Sequence, residues 1–435
     1  MTPETPTVPT GPLRVLILAW EYPPVMVGGL GRHVHALATQ LAVAGHEVTV
    51  VTRHAPGLPV DEMRGGVRVV RAPEDPPPFP LATSSLLAWT MAFNHALTRA
   101  ALRAAATAEF DVIHAHDWLV THTAVTLTEH LGLPLVATIH ATEAGRHQGW
   151  LPEEMNRCIH AVEWWLAREA SRVLVCSEYM KWEVTRLLEL HDAAVEVIPN
   201  GVDDRRWRAP RKAVERARES YTAHDGPLVV YAGRLVYEKG VQDLISALPV
   251  LRDRHPGLRL VIAGDGPHRP ELADLCARLG QDVEFCGFME EVELAALLAV
   301  ADAVVVPSLY EPFGMVALEA SAAGAPLAAA ATGGLLAIVQ HGRTGLAFGP
   351  GDPAALADAV TRLIEDPKAA KRMVAKARAM IRKNYLWPTI AATTAQAYAA
   401  AIDEASVLSP RVPPIGERPP IVVPEGNLLA LTTTP

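Results

Sequence analysis

One order of elements governs this chain, and it occurs twice. Arg14-Val-Leu-Ile-Leu-Ala19 is an apolar run, as a parallel strand covered on both faces requires. Glycines follow at Gly28-Gly-Leu-Gly31, then helical apolar spacing over His33–Ala44, then a second strand, Glu47-Val-Thr-Val-Val-Thr52. Strand, glycine-rich turn, helix, strand is the βαβ unit of a doubly wound sheet. The pattern restarts at Leu228–Ala232, with a loop at Gly233–Gly240 and a helix over Val241–Arg254. At 435 residues the chain is too long for one core. The expected architecture is therefore α/β, two Rossmann-like domains with parallel sheets facing across a cleft.

The remaining segments fit this frame. Val67–Arg71, Asp111–His116, Pro134–His140 and Val173–Ser177 read as first-domain strands, and 86–108 and 153–171 as helices. Residues 55–66 and Pro73–Pro80 read as loops. Val195–Asp203 is a strand running into the domain junction, and 204–224 is a charged stretch. The second domain continues with strands at Leu258–Ala263, Val283–Cys286, Ala303–Pro307, Pro326–Ala330 and Gly345–Phe348. Helices are expected over 269–279, 290–301, 353–383 and 385–405. The expected division is a tail at 1–12, domains at 13–200 and 201–384, a crossover helix at 385–408 and a Pro-rich disordered tail at 409–435.

Charge and motifs exclude several classes of function. The formal net charge of -9 argues against nucleic acid as a partner, since phosphate binding needs a basic face. No apolar run reaches the ~18 residues of a membrane span, and Arg14–Trp20 is too short for a signal segment. The four cysteines have no metal-ligand spacing and read as buried free thiols. These features place the chain in the cytoplasm. No Asp-x-Asp marks a strand end as an Mg²⁺ or Mn²⁺ site, and no histidines stand at zinc-ligand spacing, so no metal is expected. A Walker loop and a Gly-x-Ser-x-Gly turn are also absent.

The charged residues that remain gather at predicted strand ends. In an open α/β sheet that is where ligands bind. Ser308-Leu-Tyr-Glu-Pro-Phe-Gly314 puts Glu311 on the turn after one strand, with Glu319 in the Ala-rich helix beyond. Arg234 and Lys239 flank the loop after the first strand of the second domain. One forked and one point-like cation can stabilise a diphosphate leaving group. His116, Asp117 and His140 end two successive strands of the first domain and would face the cleft from its other wall. A lone histidine at a strand end is usually structural; two strand ends delivering three such groups to one rim favour function. The absence of an acidic residue after Thr52-Arg53 argues against a nicotinamide cofactor.

At Gly233-Arg-Leu-Val-Tyr-Glu-Lys-Gly240, Glu311-x7-Glu319 and Thr332-Gly-Gly-Leu335, the chain resembles the retaining glycosyltransferases of the GT-B fold. It is similar in particular to family 4 and its glycogen-synthase-like members, over roughly residues 13–405. Ile139-His-Ala-Thr-Glu-Ala-Gly-Arg146 and His116-Asp-Trp118 resemble the actinobacterial α-1,4-glucosyltransferases. The resemblance implies that Arg234 and Lys239 hold the donor diphosphate, Glu311 sits beside the donor sugar and Glu319 hydrogen-bonds the nucleotide ribose. It adds Gly29, Gly266, Phe288, Met289, Phe313, Gly314, Gly333 and Gly334 to the donor side. His116, Asp117 and His140 fall on the acceptor side. The C-terminal helix would cross back to the first domain, and the domains would close over substrate.

Two departures stand out. Met26 and Arg32 occupy places where bacterial glycogen synthases carry lysine and aspartate, and Leu336-Ala337 replaces a common Pro-Glu. The expected activity is transfer of glucose from ADP- or UDP-glucose to the non-reducing end of an α-1,4-glucan (glycogen or a methylglucose-type polysaccharide), with retention and without a metal or other cofactor. The resemblance also allows a homodimer. The alternatives are a lipid or small-molecule acceptor, as in family-4 mannosyltransferases, and an inactive glucan-binding module.

Overall fold

A computed structural model describes residues 11–26, 28–73, 81–82, 85–222 and 226–408. Residues 1–10 and 409–435 of the expected tails, and most of the Pro73–Pro80 loop, lie outside the described residues. The first sheet comprises β1 (Arg14–Leu18), β2 (Glu47–Arg53), β3 (Asp61–Arg64), β4 (Val67–Ala72), β5 (Val112–His116), β6 (Leu135–Ile139), β7 (Arg172–Val175) and β8 (Val195–Val197). Its order is β3-β4-β2-β1-β5-β6-β7-β8. The second comprises β9 (Leu228–Ala232), β10 (Arg259–Ala263), β11 (Glu284–Gly287), β12 (Ala303–Val306), β13 (Leu327–Ala330) and β14 (Leu346–Phe348), in the order β11-β10-β9-β12-β13-β14. Every named strand pair is parallel except β3 with β4.

Strand order reverses between β1 and β5 in one sheet and between β9 and β12 in the other. A crevice opens at such switch points, beyond the carboxyl ends of the strands. Beyond the ends of these four strands lie Gly28 and the first turn of the following helix, Asp117, Arg234–Lys239 and Glu311.

The central strands are buried along nearly their whole length, which accounts for their mostly Val/Ile/Leu/Ala composition, with His114, His116 and Tyr231 as the buried exceptions. The last helix, Trp387–Leu408, returns to the first domain. Trp387, Ile390 and Tyr398 share a core with Val15, Ile17, Val34 and Leu37. A second core spans both domains, with Val175, Cys176 and Met180 against Phe313, Leu318 and Leu335.

Several local expectations need correction. The first helix runs Gly29–Val43, so Gly29 and Gly31 form its opening turn rather than a loop before it. Residues 55–66 are not all loop: Asp61–Arg64 pairs antiparallel at the sheet edge. The charged stretch at 204–224 contains the helix Arg211–Tyr221, whose Ala213 and Ala217 pack on Ala296. The helices Thr121–Leu131 and Glu178–Leu187 were not anticipated at all. The helix expected over 86–108 ends at Ala105 and that over 153–171 spans Glu154–Glu169, while the helices expected over 353–383 are Pro353–Glu365 and Pro367–Asn384.

Candidate active site

The turn after β12 is built around a buried contact. Lys239 Nζ lies 2.8 Å from Glu311 Oε2, and the Ser308 hydroxyl donates to the same oxygen at 3.1 Å. The Glu311 side chain is only 13% exposed. The two loops are also joined through the backbone, where Leu309 N–H donates to the Glu238 carbonyl at 2.9 Å. Gly333 has φ of +52°, and a Cβ there would fall 2.0 Å from the Glu311 carbonyl oxygen. Gly334 N–H donates to that same oxygen at 2.9 Å. The Thr332-Gly-Gly334 turn thus holds the Glu311 backbone directly. Arg234 is exposed; its carbonyl accepts from the Tyr231 hydroxyl at 2.9 Å, and its side chain has no hydrogen bond or ion pair with a described residue, so the guanidinium is open to an anion.

The other donor-side positions fall less evenly. Gly314 has φ of +109° and precedes the helix Met315–Ala323. Gly266 packs on the Leu235 carbonyl, which leaves no room for a side chain. Phe288 is 82% exposed beyond β11, and Met289 is half-buried against the second-domain core. Phe313 departs from expectation. Its ring is buried in the core 6.2 Å from Tyr385, so only its backbone can face a ligand. Glu319 departs too: it is ion-paired across the cleft, with Arg32 Nη1 2.9 Å from its Oε1. Burial pushes the Glu319 carboxyl up to about 7, against the pull of Arg32.

Two more contacts fasten the domains beside Glu311. Tyr310 donates to Glu183 Oε1 at 2.9 Å, and Thr142 donates to the same oxygen at 2.6 Å. The Ser177 hydroxyl donates to the Pro312 carbonyl at 2.7 Å.

The opposite wall is a stack of imidazoles. His116 Nδ1 lies 3.1 Å from His140 Nε2, and the His33 ring meets the His140 ring edge-on at 4.7 Å. Asp117 adopts φ of +61°, uncommon for a residue with a Cβ, and its Oδ1 accepts the His140 N–H at 2.8 Å. That bond fixes the peptide at the end of β6. Beneath them His114 bonds Tyr398 at 2.7 Å and Thr138 at 2.7 Å. Burial pushes the His140 imidazole down to about 4 and the Asp117 carboxyl up to about 6. His33, His114 and His116 are held neutral by burial and by one another. His140 is therefore a neutral ring at pH 7, suited to hydrogen bonding and not to carrying charge.

The sequence reading put Glu311 and Lys239 beyond strands of the second domain and His116, Asp117 and His140 at strand ends of the first, and the strands do end there. It missed His33 and gave Arg32 no role. Nothing at the sequence level links Arg32 to a partner 287 positions away.

Comparison with known proteins then decides the family. The Glycosyltransferase Family 4 profile matches residues 27–206, and the profile for Glycosyl transferases group 1 matches 214–380. Glycogen synthase of Mycobacterium tuberculosis is 46% identical over 415 residues, covering 92% of this chain and 98% of that protein. The chain belongs to the family-4 glycosyltransferases. D-inositol 3-phosphate glycosyltransferase of Streptomyces scabiei is 33% identical over 417 residues, covering 90% of this chain and 92% of that one. Sucrose-phosphate synthase from Thermosynechococcus elongatus superposes with a TM-score of 0.78 at 25% identity, over 90% of this chain and all of that one. The catalytic domain of Starch Synthase IV from Arabidopsis thaliana, bound to ADP and acarbose, gives 0.72 at 19% identity, over 90% and 100%. The architecture is GT-B. In this glycosyltransferase no helix among the described residues is long and apolar enough to cross a membrane.

Proposed function

We propose that this glycosyltransferase moves glucose from a nucleotide diphosphate-glucose to the 4-hydroxyl at the non-reducing end of an α-glucan, with retention and without a metal, in the cytoplasm. The similarity to mycobacterial glycogen synthase over nearly both whole chains carries the proposal. The Lys239–Glu311 pair beyond the second-domain strands and the His116–His140 contact beyond the first-domain strands support it. In the proposed step the bond from the sugar C1 to the diphosphate oxygen breaks and a bond from C1 to the acceptor oxygen forms. The acceptor proton passes to the departing phosphate on the same face. Arg234 and Lys239 would stabilise charge on that phosphate as it develops, which is where preorganised cations lower a barrier most. Glu311 and the His140 carbonyl would stabilise the oxocarbenium-like sugar. In this reading Glu311 positions the donor sugar and is neither a general acid nor a nucleophile.

A second reading, transfer to a small-molecule or lipid acceptor, is favoured by the D-inositol 3-phosphate glycosyltransferases among the relatives. One experiment separates them. ADP-, UDP- and GDP-sugars are offered with maltooligosaccharides or inositol phosphate, and product linkage is read by NMR. A new α-1,4 bond on the oligosaccharide supports the first reading; a product on inositol phosphate alone sinks it.

A further inference from the structure

The imidazole wall holds more polar groups than the protein satisfies. His33 comes from the first helix, His116 is the last residue of β5 and His140 follows β6. One ring nitrogen from each lies within 4.8 Å of the other two. His116 Nδ1 and His140 Nε2 are hydrogen-bonded at 3.1 Å, a spacing that also suits two nitrogens on a tetrahedral ion, ~3.3 Å apart with bonds of about 2.0–2.1 Å. Meanwhile His33 Nδ1 and His116 Nε2 are buried without a hydrogen-bond partner among the described residues. Asn200 lies beside His33 as a hydrogen-bonding neighbour, and its Oδ1 is likewise buried without another partner. Buried nitrogens are normally partnered; an ion held through His116 Nδ1 could partner His33 but would leave His116 Nε2, on the other edge of its ring, as it is.

The donor set defines that ion. All three candidate ligands are imidazoles, which bind a metal through an unprotonated ring nitrogen. No carboxylate belongs to the trio, so hard ions such as Mg²⁺ are disfavoured and borderline ions favoured. His114 is excluded because Tyr398 and Thr138 occupy both its nitrogens. Asp117 holds the His140 backbone in place from the far side. His140 is partly exposed to the cleft, so a fourth coordination position would open toward substrate.

We propose that His33, His116 and His140 form a binding site for a borderline divalent transition ion such as Zn²⁺, and that its occupancy blocks glycosyl transfer. The ion would fix the His140 ring and place its charge at the acceptor wall. The blocking half rests on the function proposed above; the binding half does not.

The test uses the full chain, first dialysed against EDTA. Equilibrium dialysis with ZnCl₂ should show about one equivalent bound. H33Q and H116Q should each weaken binding at least roughly 10-fold, with folding checked by circular dichroism. Excess Mg²⁺ should not compete. Independently of any variant, Co²⁺ on the wild-type chain should give the intense visible absorption of a tetrahedral nitrogen site. A weak octahedral spectrum, or zinc binding unchanged in both variants, overturns the site. With a working donor and acceptor, zinc should abolish transfer and EDTA restore it; bound zinc with unchanged transfer overturns the inhibitory role. If no donor is turned over, dialysis and the cobalt spectrum still decide the site, so the two failures stay distinguishable.

Discussion

Arg32, in the first helix of one domain, holds Glu319, in a buried helix of the other, through a 2.9 Å ion pair. The two differ in surroundings: the arginine side chain is 44% exposed, the glutamate 4%. The pair therefore costs more at the glutamate end, where water has been removed from a charge.

A pH dependence follows. Glu319 has an ordinary value of 4.5 and is raised to about 7 in the fold. The native chain holds that proton more tightly than the unfolded chain. The contribution to stability is present in full below pH 4.5 and is lost as pH rises through 7, amounting to about 3 kcal/mol. Glu319→Gln cannot ionise and escapes the loss. Thermal unfolding should show the variant gaining on wild type between pH 5 and pH 8; parallel profiles would contradict the assignment.

Lys239→Met should remove the charge nearest Glu311 while leaving the apolar stem. Under the proposed function, kcat should fall on the order of 10²–10³-fold, the usual effect of deleting one stabilising group. Glu311→Ala should cost at least as much, and near-normal turnover in either variant would refute the assigned roles.

Gly333→Ala places a Cβ 2.0 Å from the Glu311 carbonyl oxygen in a backbone region that disfavours side chains. A destabilisation of roughly 1–3 kcal/mol is expected from the strain alone. Turnover should also drop, because the turn that positions Glu311 must shift. Denaturant melts together with kcat would show whether both change.

Tyr398→Phe removes the hydroxyl bonded to His114 Nδ1 and leaves a buried nitrogen unpaired. The expected cost is about 1–3 kcal/mol with little change in donor KM. A changed KM with unchanged stability would place Tyr398 in a different role.

Much of this was legible in the residues because the physics was local. Apolar runs such as Leu228–Ala232 are buried on both faces and cannot be polar. Glu311, Lys239 and Asp117 sit where strands end, so the period of the chain points at them. What escaped had weak local signals. Asp61–Arg64 is a polar edge strand, which neither alternates nor buries. The helix Arg211–Tyr221 buries only Ala213 and Ala217, too little to mark an apolar stripe. The convergence of His33 with His116 and His140 comes from packing a helix over two strand ends, and no spacing encodes it. Phe313 was expected on the donor side, and the core shared by both domains holds its ring.

The last helix has a consequence for the order in which the protein can be made. Trp387, Ile390 and Tyr398 complete the core of β1 and the first helix, yet they are synthesised after the whole second domain. On the ribosome the first domain must wait with an open apolar face while the second is finished. Expressed alone as residues 13–200 it would present that face to solvent, whereas the same fragment supplied with a peptide spanning 385–408 has the means to close it.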